Sequence, residues 1–373
     1  MSDLIAFDSV IVGGGVVGMA TAMELQKSGY KTIVVEKNNF LGDEVSSRNS
    51  GVLHSGIYYP SGSLKAEFTY RGNQLLYEYA KKKEIPCKKV GKIIVGGEDD
   101  KDRLLKLIEN GHHNGVKGLS ILDLNDLNAL ETNLSKEIQF GIFSENTGII
   151  DVPALVRSYE LDFESHGGTI IKHSSFLEHQ FDADNHNVLI QTGNEKFTIS
   201  SKFLVFATGL HSYEIGKRIN PILKSKLLKE LNLCKGHYYK ISGFTPFNHL
   251  IYPLPGKHGL GIHYTIDLSG AGKFGPDIEF IEKQDFTFSN NAKDRFYNEI
   301  KRYWNEINEY ELQEDYVGIR PKIQSINQDF ADFSILTSDH HSCRGLVFLQ
   351  GIESPGLTCS LAIAEYIVKK LDI

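Results

Sequence analysis

Cysteine is scarce in this chain: there are four among 373 residues, Cys87, Cys234, Cys343 and Cys359, and no two form a C-x-x-C pair. That spacing excludes a disulfide scaffold, offers no zinc motif and leads us to expect no metal. Reduced thiols in a cytoplasmic compartment are expected. Long apolar runs are also missing. None approaches the ~20 residues a membrane-spanning helix requires. The stretch from Val10 to Met23 is broken by glycines and preceded by no basic segment, so it reads neither as a signal peptide nor as a span. Membrane contact is expected to be peripheral at most, at the inner face. Positive charge is not in excess: 40 Lys+Arg against 47 Asp+Glu leave −7, with no long run of one sign. Nucleic acid is therefore not expected as a partner. Internal repeats and low-complexity tracts are lacking too. What remains is ordinary globular composition, 41% hydrophobic, in a chain long enough for two or three domains of ~150 residues.

The opening reads as strand, tight turn, helix, strand. Ser9 to Val12 is a short β-rich run, Gly13 to Gly15 break it, Val16 to Ser28 carry helix formers ending at Gly29, and Lys31 to Glu36 form a second buried strand. A unit of this length predicts a right-handed crossover between parallel strands. Residues 40–62 are irregular and rich in Gly, Ser, Asn and Tyr, which suggests a functional loop. Helices are expected over Leu64–Lys83, Asp99–Asn114, Ala154–Ser165, Ala292–Glu309 and Thr358–Leu371. Strands are expected at Lys92–Gly96, Thr169–Ile171, Asn187–Thr192, Phe197–Ile199, Phe203–Ala207 and Gly345–Leu349. From about Cys234 to Arg320, aromatic-rich runs have the composition of an antiparallel sheet. The α/β style then returns, so the first and last segments should sit together.

Gly13-x-Gly15-x-x-Gly18 falls at the strand-to-helix turn, where glycine permits a tight bend, close approach of backbone to a pyrophosphate and close helix packing. The helix start then offers unpaired N–H groups and a positive dipole end to the phosphates. Glu36 closes the second strand, placed to accept hydrogen bonds from ribose hydroxyls. The pattern predicts dinucleotide binding, with FAD and NAD both open. Far along the chain, Gly345 to Gly351 and Ser354-Pro355-Gly356-Leu357-Thr358 form a strand, a turn and a helix start. Such a helix end would stabilise negative charge on a reduced flavin, and it also fits a plain strand–helix connection.

The run Ser46-Ser47-Arg48-Asn49-Ser50-Gly51-Val52-Leu53-His54-Ser55-Gly56-Ile57-Tyr58-Tyr59-Pro60, with the fingerprint, Gly62 to Ala66, Lys235-Gly236 with Tyr238-Tyr239, Ile251 to Pro255, Gly259 to Thr265 and Gly275-Pro276, resembles the L-2-hydroxyglutarate dehydrogenases and oxidases. These are FAD enzymes of the D-amino-acid-oxidase-like superfamily. The stretch from Gly351 to Ser360 departs from that family, carrying Gly356-Leu357 where small alanines are expected. The resemblance implies an α/β fold with a Rossmann-like FAD-binding domain on a mainly parallel sheet and an α+β substrate domain on a mostly antiparallel one. We expect residues 1–85, 145–215 and 325–373 in the first and 86–144 and 216–324 in the second. It implies FAD contacts from Gly13, Gly15, Val16, Val17, Gly18, Glu36, Lys37, Ser46, Ser47, Arg48, Asn49, Ser50, Ala207, Thr208, Gly209, Gly351, Ser354, Pro355, Gly356, Leu357 and Thr358.

It further implies oxidation of L-2-hydroxyglutarate, a dicarboxylate 2-hydroxy acid, to 2-oxoglutarate by hydride transfer from C2 to flavin N5, with a quinone or oxygen as electron acceptor. That chemistry needs a base for the hydroxyl proton and cations for the carboxylates. Histidine suits the first, and His263 is preferred, with His54 placed against the flavin. Arg320, in Gly318-Ile319-Arg320-Pro321, is similar to the carboxylate-holding arginine of amino-acid oxidases, and its planar fork grips a carboxylate through two bonds. Lys235, Tyr239, Tyr58 and Tyr59 are candidates for the second carboxylate. Two alternatives stay open on these residues: oxidation of glycine, sarcosine, a D-amino acid or glycerol 3-phosphate on the same fold, and a flavin-binding protein without turnover.

Overall fold

A computed structural model describes residues 5–182, 184–223, 225–254, 261–325 and 328–371. The motif residues Pro255, Gly259 and Leu260 lie outside them. The chain divides into two units: residues 1–47, 152–232 and 321–373, and residues 48–151 and 233–320.

The first unit is built on a six-stranded sheet, ordered Thr169–Ile171, Thr32–Val35, Ser9–Val12, Phe203–Phe206, Leu346–Gln350, Ser334–Leu336. Neighbours are parallel except the last pair. The strands are near-continuous apolar runs because both faces of a parallel sheet are covered. The helix Val16–Lys27 packs against Val152–Ser165 and Gly356–Lys370, which joins the two ends of the chain as the sequence implies. A smaller sheet of Ile5–Ala6, Glu195–Ser201, Asn185–Thr192 and Ser174–Asp182 completes this unit. Its core runs from Val10 and Val12 through Leu204 and Phe206 to Leu346 and Phe348.

The second unit carries a nine-stranded sheet, ordered Glu279–Ile281, Asn232–Lys240, Gly272–Phe274, Tyr264–Ile266, Leu250–Pro253, Lys92–Gly96, Phe140–Ser144, Leu119–Leu122, with Gln313–Lys322 paired to Asn232–Lys240. It is mostly antiparallel, but Leu250–Pro253 runs parallel to Lys92–Gly96. The expected Ala292–Glu309 helix is instead an α-helix over Ala292–Ile300 and a 3-10 segment over Asn305–Glu309, with Trp304 between them turned into the core.

Residues 48–85 belong here, not to the first unit as expected. The reason is a small sheet in which Gly148–Ile150 pairs with both Val52–Leu53 and Cys87–Lys89. That pairing also brings 145–151 across, while 216–232 goes to the first unit.

Candidate active site

In the first unit, the backbone around the fingerprint is shaped so closely that side chains are excluded. Gly13 has φ +108° and a Cβ there would strike the carbonyl of Ala207, while one on Gly18 would strike the carbonyl of Gly13. Only glycine relieves both the strain and the contacts. The helix Val16–Lys27 starts at Gly15 with no side-chain cap and no acidic residue in its first turn. Ser46 Oγ accepts from the N–H of Val16 at 3.0 Å, which sets this hydroxyl at the helix start.

Glu36 is buried, and its two carboxylate oxygens accept from the N–H groups of Gly14 and Asn38, each at 2.7 Å. Each oxygen keeps a lone pair for a ribose hydroxyl. Thr208 Oγ1 lies buried, the Thr208 backbone beside Gly13, and among the described residues this hydroxyl has no hydrogen-bond partner. An orphaned hydroxyl on a glycine-lined turn, in the unit whose first helix has no cap from its own N-cap residue, fits a bound diphosphate that supplies the missing partner. The helix Gly356–Lys370 likewise begins without a side-chain cap or first-turn acid, after Gly351 at φ +67°. Thus Gly13, Gly15, Val16, Val17, Gly18, Glu36, Ser46, Ala207, Thr208, Gly209, Gly351 and the residues from Ser354 to Thr358 all fall within one unit.

The rest of the expected cofactor set is placed differently. Lys37 is committed to Glu44 and His211, with Nζ 2.5 Å from each. Burial pushes the Glu44 carboxyl up, but hydrogen bonds from His211 and Lys37 outweigh it and hold the group at about 2. Ser47 Oγ donates to the carbonyls of Asp43 and Glu44, so it serves the local turn. Arg48, Asn49 and Ser50 belong to the second unit. There the Arg48 guanidinium covers the Phe286 ring at 4.6 Å and donates to the Val317 carbonyl at 3.2 Å. The Asn49 carbonyl accepts from the Tyr316 hydroxyl at 2.7 Å, and Ser50 Oγ lies 3.0 Å from Tyr238 Oη.

In the second unit, a cluster of rings gathers around one cation. Tyr252 stacks on His263, with centroids 3.6 Å apart and planes 10° off parallel. Lys92 Nζ lies 4.6 Å from the Tyr58 ring and 4.9 Å from the Tyr252 ring. Desolvation, helped by the Lys92 charge, pushes the His54 imidazole down to about 3, so it is neutral near neutrality. Burial raises the phenols of Tyr58 and Tyr252 above their ordinary range.

Side chains rather than a regular element hold the loop that carries His54. Asn73 donates to the His54 carbonyl at 3.0 Å, Asn110 to those of Ile57 and Tyr59, and Asn114 to those of Gly56 and Tyr59. Tyr59 therefore enters this network through its carbonyl.

Arg320 is oriented by backbone. Its Nε donates to the Cys234 carbonyl at 3.3 Å and its Nη2 to those of Lys235, at 3.1 Å, and Asp277. Gly236 makes room for it, since a Cβ there would approach Nη2 to 3.1 Å. Asp277 is itself fixed by His237 at 2.8 Å and Arg295 at 2.7 Å. Burial raises the Asp277 carboxyl, but the His237 and Arg295 bonds lower it overall.

Two of the expected substrate contacts have partners within the chain. Lys235 Nζ is 2.6 Å from Asp285 Oδ2 and 2.8 Å from the Thr287 carbonyl, and Tyr239 packs its ring against Phe288 and Phe296. Alternation along a strand puts both on one face and Tyr238 on the other. Tyr238, with its hydroxyl on Ser50 and its ring stacked on Tyr316, is the neighbour of Arg320 that the sequence reading missed. Lys92 and Tyr252 were missed as well.

Among the described residues, no helix is long and apolar enough to cross a membrane. The family model described as "FAD dependent oxidoreductase" matches residues 8–370. A mitochondrial L-2-hydroxyglutarate dehydrogenase of Arabidopsis thaliana is 36% identical, over 97% of this chain and 83% of that protein. A second, from Nematostella vectensis, is 33% identical over 73% of this chain and 62% of its own length. An FAD-bound L-α-glycerophosphate oxidase structure from Mycoplasma pneumoniae superposes with a TM-score of 0.86 at 26% identity, covering 99% of this chain and 96% of that one. With the family match running over residues 8–370, and a glycine turn whose geometry fits a diphosphate, the chain belongs to the FAD-dependent oxidoreductases.

Proposed function

We propose that this enzyme oxidises the C2 hydroxyl of L-2-hydroxyglutarate to give 2-oxoglutarate. The observation that carries the reading is the stack of His263 on Tyr252 beside His54 and Lys92, a base and a cation gathered in the second unit. Two relatives named for this acid, 36% and 33% identical, support it. FAD, which the glycine turn, Glu36 and Thr208 would hold, would supply the hydride acceptor for C2, with a quinone or dioxygen as the expected final electron acceptor.

The chain's own residues do the rest. His263 takes the hydroxyl proton onto its imidazole, while its ring is held flat by Tyr252. His54 is the poorer base, its basicity lowered to about 3, so it stays neutral and shapes the site. Arg320 sets its positive charge toward the carboxylate next to C2, its guanidinium fixed through Nε and Nη2 by three carbonyl acceptors. Replacing Arg320 by Ala is expected to weaken substrate binding by ~2 to 5 kcal/mol, about 30-fold or more, read as the concentration dependence of flavin reduction. An unchanged dependence would refute the role.

A second reading has a specific basis: the glycerophosphate oxidase likeness favours a phosphorylated alcohol as substrate. Anaerobic mixing with each acid separates them. L-2-hydroxyglutarate should bleach the yellow flavin, whereas glycine, sarcosine and glycerol 3-phosphate should leave it coloured. Bleaching by glycerol 3-phosphate alone would replace the first reading with the second.

A further inference from the structure

Burying an ammonium removes solvation that only acceptors or a counter-charge restore, so buried lysines are almost always paired. Lys92 departs from this: it is 0% exposed, and among the described residues its Nζ has no hydrogen-bond partner. Lys235, on the same sheet, shows the usual arrangement, with Asp285 at 2.6 Å. The faces of Tyr58 and Tyr252 attract the Lys92 charge but give its three protons no oxygen acceptor.

The position is built in. Lys92 opens the strand Lys92–Gly96, pairing with Leu250 on one side and Ser144 on the other. Its neighbours are the groups assigned above to the reacting centre: Tyr252 carries His263 on its ring, and His54 feels the Lys92 charge. A cation kept dry among these groups, with no described residue to neutralise it, is prepared for an anion that comes and goes.

We propose that Lys92 is the cationic anchor for the substrate carboxylate remote from the oxidised carbon. This deepens the reading above and rests on it. It also fills the place that Lys235 and Tyr239, turned into the core, leave vacant. Burial alone pushes the Lys92 ammonium down to about 7, so an arriving carboxylate favours its protonated form.

The test is titration calorimetry of the FAD-loaded protein with glutarate, a dicarboxylate that lacks the oxidisable hydroxyl, on the wild type, Lys92→Met and Lys92→Gln. Both variants should bind glutarate at least about 30-fold more weakly. They should keep their FAD, and the thermal midpoint of Lys92→Met should be unchanged or raised, because an apolar side chain replaces an unpaired buried charge. Undiminished glutarate binding, with L-2-hydroxyglutarate still bleaching the wild type, overturns the Lys92 assignment and leaves the substrate reading standing. Lowered midpoints in both variants would make Lys92 a structural residue and overturn it too. A wild type that neither binds glutarate nor is bleached by L-2-hydroxyglutarate overturns the reading and the assignment together.

Discussion

Substituting Asn for His263 is expected to slow the anaerobic reduction of bound FAD by L-2-hydroxyglutarate by about 10²-fold or more, the usual effect of removing a general base. The geometry makes this a clean test. Asn is planar and close in size, and a backbone bond at this residue, the N–H of Gly275 donating to its carbonyl at 2.8 Å, does not involve the ring. The Tyr252 ring keeps a flat neighbour in place of the 3.6 Å stack. Stopped-flow absorbance would give the reduction rate apart from binding. If His54→Asn alone produces the drop, the two imidazoles have exchanged roles. Such a result would require His54 to act despite a basicity lowered to about 3 by desolvation and by Lys92.

Gly13→Ala is expected to yield protein that carries little or no FAD. Gly13 has φ +108°, a region that costs a non-glycine residue ~1 to 3 kcal/mol, and its new methyl would meet the Ala207 carbonyl, a backbone atom that cannot swing aside. Relief requires the Ser9–Val12 and Phe203–Phe206 strands, paired in parallel, to separate where the phosphates would lie. Gly18→Ala should act in the same direction through the Gly13 carbonyl. Flavin absorbance per polypeptide, together with circular dichroism to show that the fold persists, checks both. Normal flavin content in either variant would move the cofactor away from this turn.

The cofactor side of this protein is legible because its signals are local. Strand, glycine turn, helix and closing acid follow one another within residues 9–36, and Glu36 makes contacts with Gly14 and Asn38 that depend on little beyond that segment. The substrate side is harder to read because its signals are distant or hinge on parity. Tyr238 and Tyr239 are adjacent aromatics of like chemistry, and only strand register decides that the first turns toward Ser50 and Tyr316 and the second toward Phe288 and Phe296.

Lys92 opens an apolar strand, and a charge at such a place is ordinarily taken as the solvated end. Burial arises because Leu250 and Ser144 flank it from segments far away in sequence. The grouping of residues 48–85 with the second unit is hard to read for a similar reason, since the pairing of Val52–Leu53 with Gly148–Ile150 spans almost a hundred residues of chain.

The three asparagines that grip the backbone around His54 carry a kinetic implication. A stretch with few regular hydrogen bonds of its own is locked by amide groups from Asn73, Asn110 and Asn114, so its shape is settled when the polypeptide folds rather than at each encounter with substrate. Replacing Asn110 or Asn114 by Ala is then expected to loosen this segment, which faster amide exchange at residues 54–59 would show.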